Sequence, residues 1–351
     1  MKHLHGHGPR TPADLLQEAA DWCRTHDVGF DLYGTGKVLD DFQQRVADRL
    51  GFPAGRFMVS GVMAQNIALK VWAERAGRDH VGMHPTSHLE RHEERAYARL
   101  YGLDVTLVGH ADVPMRADHL QRVVEPLAAL LVELPIRESG GQLPSWDELE
   151  ALKAEAAARD VALHLDGARL WSCGPAYARS YEAICRGFDS AYVSFYKGVG
   201  ALSGAMLLGD ADFLAEAAVW QRRAGGTLWS QVPMVASAAA RFDQALERMP
   251  AWAAQAKVLA GVLAEVPGLR VWPDPPHTNL FHLFGEGEAR DVVAAREAVK
   301  AELGIQPLSS PRPGPMPGTW RCEVTIAEAA MAITPDELRA AWARMNELLG
   351  R

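Results

Sequence analysis

Short apolar runs alternate with longer amphipathic stretches over residues 57–223 of the chain. In 38–50, for example, apolar residues recur every fourth position and Gly51 follows, which is typical of an amphipathic helix and its end. The predicted strands are 57–59, 104–108, 130–134, 161–165, 191–194 and 204–208. The predicted helices are 11–26, 38–50, 62–76, 87–101, 145–159, 177–186 and 212–223, with a helical stretch near 117–128. This alternation predicts an α/β fold whose mostly parallel sheet is covered on both faces.

The pattern changes after Gly225 and Gly226. A long alanine-rich helical stretch covers 232–249, is interrupted by Pro250 and resumes over 252–266. The remaining predicted elements are strands 269–272, 279–283 and 320–326, helices 288–303 and 336–349, and a proline-rich loop, 309–319. We therefore predict an N-terminal arm and helix (1–30), a large α/β domain (31–245) and a small C-terminal α+β domain (246–351).

Composition and charge restrict the class of protein. The chain has 351 residues, 48% of them hydrophobic and 23% charged, which is typical of an ordinary soluble globular protein. A formal net charge of −8 argues against nucleic acid as a partner, and no apolar run is long enough to suggest a membrane partner. The N-terminus lacks the apolar stretch of a signal peptide, and the four cysteines lack metal-ligand spacing. We expect a cytoplasmic protein.

An acid and a lysine follow two of the predicted strands. Asp166 ends the run VALHLD, and Lys197 follows the run AYVSFY in a loop flanked by glycine. Each alone is compatible with a turn cap or a solvated loop lysine. Together they suit pyridoxal phosphate, because a lysine amine can condense with its aldehyde while an acid keeps its pyridine nitrogen protonated.

Other polar groups follow predicted strands and are expected at the same edge of the sheet. Ser60 and Gly61 precede helix 62–76, whose first amides could hold a phosphate, although such turns often use these residues for geometry alone. Ser194 lies three residues before Lys197, so its hydroxyl could reach a phosphate, and Arg169 follows Asp166. His88 could stack on a flat cofactor or serve only as a surface or capping residue.

Two histidine patterns resemble metal sites, but we predict no metal. His80, His84, His88 and His92 recur every fourth residue, yet Gly82 and Pro85 interrupt any helix that would align them. The alternating histidines of residues 3–7 lie in a glycine-containing terminus that is expected to fray.

Taken in order, these segments resemble the threonine aldolase and β-eliminating lyase family of fold-type-I pyridoxal phosphate enzymes. The resemblance runs from about Tyr33 to Thr325, and HLDGAR is its most specific part. The other matching segments are YGTGKVLDDFQQRVADRLG, SGVMAQNIAL, SHLERHEERA, GGQLP and SFYKGVGALSG.

The resemblance implies a role for each matching residue. Lys197 would bind the cofactor covalently, Asp166 would partner the pyridine nitrogen and His88 would stack on the ring. The phosphate would be held by Gly61, the amide of Val62 and Ser194. Arg169 would lie near the cofactor and the substrate carboxylate, and Arg321 would be the main carboxylate fork.

The chain departs from the family pattern at three positions. Val62 replaces a threonine that follows the phosphate-loop glycine, and Ile136 stands where a second active-site histidine is usual. Trp229 lies where an arginine reaches the cofactor phosphate across a subunit interface. Arg137 and Arg223 are candidate replacements for the lost charge.

The resemblance implies a homodimer or homotetramer that acts on a small amino acid. The leading activity is aldol cleavage of a threonine-like β-hydroxy-α-amino acid to glycine and an aldehyde. Ile136, Trp171 and Trp229 would make the site more apolar than threonine needs, which keeps open β-elimination or another carbon–carbon cleavage on a bulkier amino acid. A catalytically silent cofactor-binding relative is the third reading, and the intact Asp166 and Lys197 argue against it.

Overall fold

A seven-stranded sheet and a four-stranded sheet dominate the computed structural model, which describes residues 1–351. The strands are β1 (Lys2–His3), β2 (Ala54–Met58), β3 (His80–Met83), β4 (Asp104–Leu107), β5 (Ala129–Glu133), β6 (Ala162–Gly167), β7 (Ser190–Ser194), β8 (Ala205–Gly209), β9 (Leu269–Trp272), β10 (Leu280–Glu286), β11 (Ile305–Gln306), β12 (Arg312–Pro313) and β13 (Thr319–Thr325). The helices are α1 (Pro12–Thr25), α2 (Lys37–Leu50), α3 (Gly61–Ala76), α4 (His88–Arg91), α5 (Ala96–Tyr101), α6 (Ala117–Gln121), α7 (Trp146–Ala158), α8 (Cys173–Tyr177), α9 (Tyr181–Cys185), α10 (Ala211–Arg223), α11 (Val232–Ala264), α12 (Ala289–Leu303) and α13 (Pro335–Leu348). None of the helices combines the length and apolar character that crossing a bilayer requires.

The chain divides into two compact units. The large unit comprises Thr11–Ile136 and Leu143–Glu247, and the small unit comprises Met1–Arg10, Arg137–Gln142 and Arg248–Arg351. The domain boundaries at residues 30 and 245 stay a prediction from the sequence.

The sheet of the large unit has the strand order β2-β8-β7-β6-β5-β3-β4. Strands β3 to β7 pair in parallel, and β8 runs antiparallel to both of its neighbours. All residues of β5, β7 and β8 are buried, and so are all but the first of β6, because helices cover both faces. The predicted mostly parallel α/β sheet is therefore confirmed.

Strand β3 is not predicted by the sequence pattern, and Gly82 is part of the reason. This four-residue strand contains only one β-branched residue, Val81, so it lacks the usual strand composition. A Cβ at Gly82 would lie 2.7 Å from the Leu130 side chain and 2.8 Å from that of Leu127. The glycine therefore lets these leucines pack directly against the strand.

Several predicted helices are shorter or divided. The stretch predicted as 87–101 forms α4 and α5, separated by residues with positive φ, and 177–186 is interrupted at Ala178, whose φ is 51°. Only Ala117–Gln121 of the stretch near 117–128 is helical. Left-handed residues end a helix because they cannot continue its hydrogen-bond pattern.

The predicted break at Pro250 is wrong, since this proline lies inside α11, a continuous helix of 33 residues. The proline ring removes one backbone hydrogen bond without ending the helix. Good helix formers flank it on both sides, and Leu246, Met249 and Trp252 around it are buried, so tertiary packing holds the helix together.

The small unit is built on an antiparallel sheet of order β12-β13-β10-β9. Alternate residues of β13 face its core: Trp320, Cys322 and Val324 are buried. Arg321 and Glu323 lie between them on the opposite, partly exposed face. The alternation thus presents two charged side chains next to each other on one face of the strand.

Candidate active site

Asp166 lies at the carboxyl end of β6 and is only 1% exposed. It pairs in register with Glu133 of β5 on one side and with Tyr192 of β7 on the other. Its Oδ1 accepts a hydrogen bond of 3.0 Å from the amide of Ala168. Burial raises the pKa of this carboxyl group, while the charges of Lys197 and Arg169 oppose the shift.

Lys197 lies in the loop that follows the neighbouring parallel strand β7. Its ammonium group is close enough to Asp166 to lower the pKa of that carboxyl group, and it lies 5.5 Å from the ring centre of Tyr196. The structure therefore brings the predicted acid and amine together at the carboxyl ends of two adjacent strands, where α/β proteins bind their ligands.

Gly61 and Val62 open helix α3 beside this edge. Ser60 caps the helix, since its Oγ accepts a hydrogen bond of 3.2 Å from the amide of Met63. A Cβ on Gly61 would lie 2.0 Å from the hydroxyl oxygen of Tyr192, so only glycine fits there. Ser60 thus has a structural role, and the amides of Gly61 and Val62 belong to the first turn of a 16-residue helix.

Ser194, the last residue of β7, and Arg169, in the loop that follows β6, lie near Asp166. Ser194 is buried, and its Oγ donates a hydrogen bond of 2.8 Å to the carbonyl oxygen of Ala168. A hydrogen bond from this hydroxyl to a phosphate would therefore require it to rotate. The guanidinium of Arg169 lies close enough to lower the pKa of Asp166.

His88 begins the short helix α4 and contacts a residue that the sequence pattern did not reveal. Its Nε2 lies 2.7 Å from Oε1 of Glu93. Its ring centre is 5.0 Å from that of His92. Because 87–101 is predicted as one continuous helix, the sequence carried no signal that Glu93 would fold back onto His88. The four regularly spaced histidines do not form one helix face, since His80 belongs to β3 and His84 to the following loop.

Buried polar atoms without a hydrogen-bond partner test whether the site suits pyridoxal phosphate. Oδ2 of Asp166 is such an atom, and so are Oδ1 of Asn66 and Oγ of Ser87, the residue before His88. A buried acceptor without a donor is costly, and a protonated pyridine nitrogen would supply the donor that Asp166 lacks. Lys197 supplies the amine nearby. These residues fit the cofactor that the sequence predicts.

Arg321 and Arg137 line a cavity of about 350 Å³ in the small unit, together with His282, Glu138 and Glu323. Arg321 Nη2 is 4.0 Å from Oε2 of Glu138. Arg137 is 2.6 Å from Glu323 and 3.0 Å from Glu138, so its charge is balanced by two carboxylates. This pairing offers little support for Arg137 as a replacement phosphate ligand.

The other candidate residues lie in different surroundings. Trp171 is fully buried against Tyr181 and Phe242, so it belongs to the core of the large unit. Ile136 is also buried, whereas Trp229 is 62% exposed. Arg223 ends α10 and stacks over Trp220, 4.7 Å from its ring centre.

Comparison with known proteins shows which family this chain resembles. A model of the family described as beta-eliminating lyase matches residues 13–284. The uncharacterized protein R102.4 of Caenorhabditis elegans is 29% identical over 67% of this chain, and the chain spans only 59% of that protein's length. Low-specificity L-threonine aldolase 1 of Arabidopsis thaliana is 25% identical over 80% of each chain.

A crystal structure from Listeria monocytogenes, whose assignment as an L-allo-threonine aldolase is provisional, superposes with a TM-score of 0.93. The two chains are 35% identical, and the match covers 99% of this chain and 96% of the other. A match of this extent confirms the predicted fold class.

Proposed function

This chain belongs to the beta-eliminating lyase family, and on that premise we propose that it is a pyridoxal phosphate-dependent lyase that cleaves a threonine-like β-hydroxy-α-amino acid to glycine and an aldehyde. The observation that carries the proposal is the closeness of Lys197 to a buried Asp166 whose Oδ2 lacks a donor. The threonine aldolase names of the Arabidopsis and Listeria relatives support the choice of substrate class.

Each cofactor contact is assigned to a residue at the edge of the large sheet. Lys197 would bind the aldehyde, Asp166 would hold a proton on the ring nitrogen, and His88 would cover the ring. The amides of Gly61 and Val62 would hold the phosphate at the positive end of α3, with Ser194 and Arg169 nearby. When bound, pyridoxal phosphate supplies an electron-accepting ring conjugated to the substrate's Cα.

Other side chains would orient the substrate and move one proton. Arg321 would bind the α-carboxylate with its planar fork. A base near His88 would remove the β-hydroxyl proton, so that the Cβ–O bond becomes the aldehyde carbonyl as the Cα–Cβ bond breaks. The electron pair of the broken bond stays with Cα, which later takes up a proton to give glycine.

A second candidate function, β-elimination on a bulkier amino acid, is favoured by the apolar Ile136. This residue is 3% exposed and stands where the family usually has a histidine near the substrate hydroxyl. Trp171 lends no support, because it lies in the core. Elimination would expel the leaving group on Cβ, which is water for a β-hydroxy amino acid, and hydrolysis of the remaining enamine would give ammonia and a 2-oxo acid. Aldol cleavage releases glycine and an aldehyde instead.

The decisive experiment is a product assay on the cofactor-loaded enzyme. A panel of β-hydroxy-α-amino acids would vary the Cβ substituent and the configuration at Cα and Cβ, with aldehyde, glycine, 2-oxo acid and ammonia measured in parallel. Aldehyde and glycine in equal amounts support the proposal, and a 2-oxo acid with ammonia supports the second function. Bound cofactor without any turnover would indicate a catalytically silent relative.

A pair of lysine variants tests the cofactor assignment. Lys197→Ala should abolish the visible absorbance of lysine-bound cofactor. The matched control Lys37→Ala, at a lysine whose side chain is 86% exposed, should leave the absorbance unchanged. An unchanged spectrum in Lys197→Ala would reject the assignment.

We also propose that the enzyme is a homodimer or homotetramer. The side chains of three aromatic residues are exposed: Phe30 (83%), Tyr33 (57%) and Trp229 (62%). The ring centres of Tyr33 and Trp229 are 5.2 Å apart. Exposed aromatic clusters are typical of protein interfaces. Light scattering would give the mass of the particle, and a monomer would contradict this proposal. The cytoplasmic location stays a prediction.

A further inference from the structure

The segment after His88 turns back where its sequence pattern predicts a continuing helix. In one continuous helix, residues 88 and 93 would point about 140° apart, because each residue turns the helix by about 100°. Instead α4 ends after one turn, and Glu93 lies in the connection to α5. Oε1 of Glu93 is thereby brought to 2.7 Å from Nε2 of His88.

Two consecutive residues with left-handed backbone lie in this reversal. Glu94 and Arg95 have φ values of 49° and 58°, in the left-handed region that residues other than glycine seldom adopt. Strained backbone persists only where the surroundings hold it in place, and it is common at functional sites. Two consecutive cases immediately after Glu93 point to a geometric requirement at that residue.

Side chains around the turn hold it in this conformation. Nε of Arg95 donates a hydrogen bond of 3.2 Å to the hydroxyl oxygen of Tyr97. The Tyr97 hydroxyl in turn donates to Oε2 of Glu90, which belongs to α4. Tyr97 is 2% exposed, so its ring anchors both helices to the core. The network therefore fixes the place where the chain reverses.

Glu93 is partly enclosed as a result. Its side chain is 20% exposed and that of His88 is 29% exposed. Burial raises the pKa of the Glu93 carboxyl group above its usual value, and the nearby His92 and Lys197 oppose that shift. The carboxylate thus lies among the candidate stacking histidine, a second histidine and the cofactor-binding lysine.

We propose that Glu93 is the positioning residue of His88: its carboxylate accepts the Nε2–H, so that Nδ1 carries the lone pair and acts as the base for the substrate's β-hydroxyl proton. The partner of one ring nitrogen decides which nitrogen is protonated, as in other carboxylate–histidine pairs. The pair supplies the base that is otherwise missing where Ile136 replaces the usual histidine. This inference rests on the proposed aldol cleavage.

The test compares Glu93→Gln, Glu93→Asp and the matched control Glu94→Gln, a change at the next residue of the same turn. An amide can donate to Nε2 as well as accept from it, so Glu93→Gln should lose the tautomer preference. We expect kcat to fall roughly 100-fold, the lower range for a displaced general base. KM should change less than threefold. Glu93→Asp should recover part of kcat, and Glu94→Gln should match the wild type.

A spectroscopic measurement separates this inference from the proposed function. Nitrogen-15 NMR of the histidine rings, with the His88 signals identified by their loss in His88→Asn, reports the tautomer with or without cofactor. We expect the Nε2–H form in the wild type and a mixed or reversed form in Glu93→Gln, even if no tested amino acid is cleaved.

Three results would overturn the inference. They are a wild-type kcat in Glu93→Gln, an equal loss of kcat in Glu94→Gln, and a His88 tautomer that does not respond to Glu93→Gln. If the tautomer responds but the panel gives no aldehyde, the positioning role stands and the proposed reaction fails.

Discussion

The hydroxyl of Ser194, the last residue of β7, donates a hydrogen bond of 2.8 Å to the carbonyl oxygen of Ala168, two residues after Asp166. This bond joins the loop that follows the acid to the end of the strand that precedes Lys197. The indole of Trp171 donates to the carbonyl oxygen of Ser194 at 3.2 Å, which adds a second link between them. These bonds hold Asp166 and Lys197 in a fixed relative position even without the cofactor.

Ser194→Ala should therefore affect the protein even without cofactor. The change leaves the buried carbonyl of Ala168 without a donor, at a cost of about 1–3 kcal/mol in the free energy of unfolding. Chemical denaturation of the cofactor-free protein measures this loss. Ser203→Ala, which removes only a bond of 3.4 Å to Val59, should be close to neutral. If Ser194 also binds the phosphate, its variant should in addition weaken cofactor binding; equal stability of the two variants would contradict the structural role.

Asp166→Asn should change how the stability of the cofactor-free protein depends on pH. Burial raises the pKa of Asp166 above its usual value of 3.8, so the folded protein holds this proton more tightly than the unfolded chain does. The stability that comes from the neutral form is complete at pH values below 3.8 and is lost as pH rises through the folded-state pKa. The asparagine variant should therefore gain stability relative to the wild type as pH rises.

Unfolding of both proteins along a pH series measures this difference. Glu125→Gln, at an exposed carboxylate, is the control and should show no such divergence. Parallel curves for Asp166→Asn and wild type would indicate that the carboxyl group is not held in its neutral form. In the cofactor-loaded enzyme the same variant should bind cofactor but lose turnover, because an amide cannot keep the pyridine nitrogen protonated.

The strands that the sequence predicted well are those whose residues are buried along all or almost all of their length. Strands β5 to β8 are buried on both faces, so each appears as a continuous apolar run, and Asp166 and Ser194 stand out where β6 and β7 end. Strand β3 was missed because its stability comes from leucines that pack over Gly82, a contact between distant segments. The site residues at the strand ends could be predicted because each is a polar residue that directly follows an apolar run.

Glu93 could not be found in this way. The helical pattern of 87–101 continues through the turn, and its reversal depends on the contacts that Tyr97 makes with Glu90 and Arg95. Helix propensity depends on each residue and its near neighbours, so it does not reveal such a network. Pro250 shows the opposite case, since a strong local breaker is overridden by buried neighbours along α11.

Gly61→Ala should destabilise the fold, whereas Gly261→Ala should stabilise it. The new Cβ at Gly61 would lie 2.0 Å from the hydroxyl oxygen and 2.2 Å from Cζ of Tyr192, which is 1% exposed and cannot move easily. We expect a loss of about 1–3 kcal/mol. Gly261 lies in α11, and apart from the adjoining backbone of that helix no atom lies within 4 Å of the position that an alanine Cβ would take, so this change should gain about 0.5–1 kcal/mol. Thermal unfolding of the two variants should shift in opposite directions, and a stable Gly61→Ala protein would contradict the close contact.

Arg321→Lys should raise KM for the amino acid roughly tenfold while changing kcat little. A lysine keeps the charge but loses the planar fork that binds a carboxylate with two parallel hydrogen bonds. Because the α-carboxylate does not change during the reaction, its contacts are equally strong in the ground and transition states, and their loss appears in KM. Steady-state kinetics on the best substrate of the panel would measure both constants. Arg290→Lys, at a side chain that is 84% exposed, is the control and should have wild-type kinetics. A kcat that falls with KM unchanged would place Arg321 outside the carboxylate site and assign it instead to the ion-pair network of Glu138.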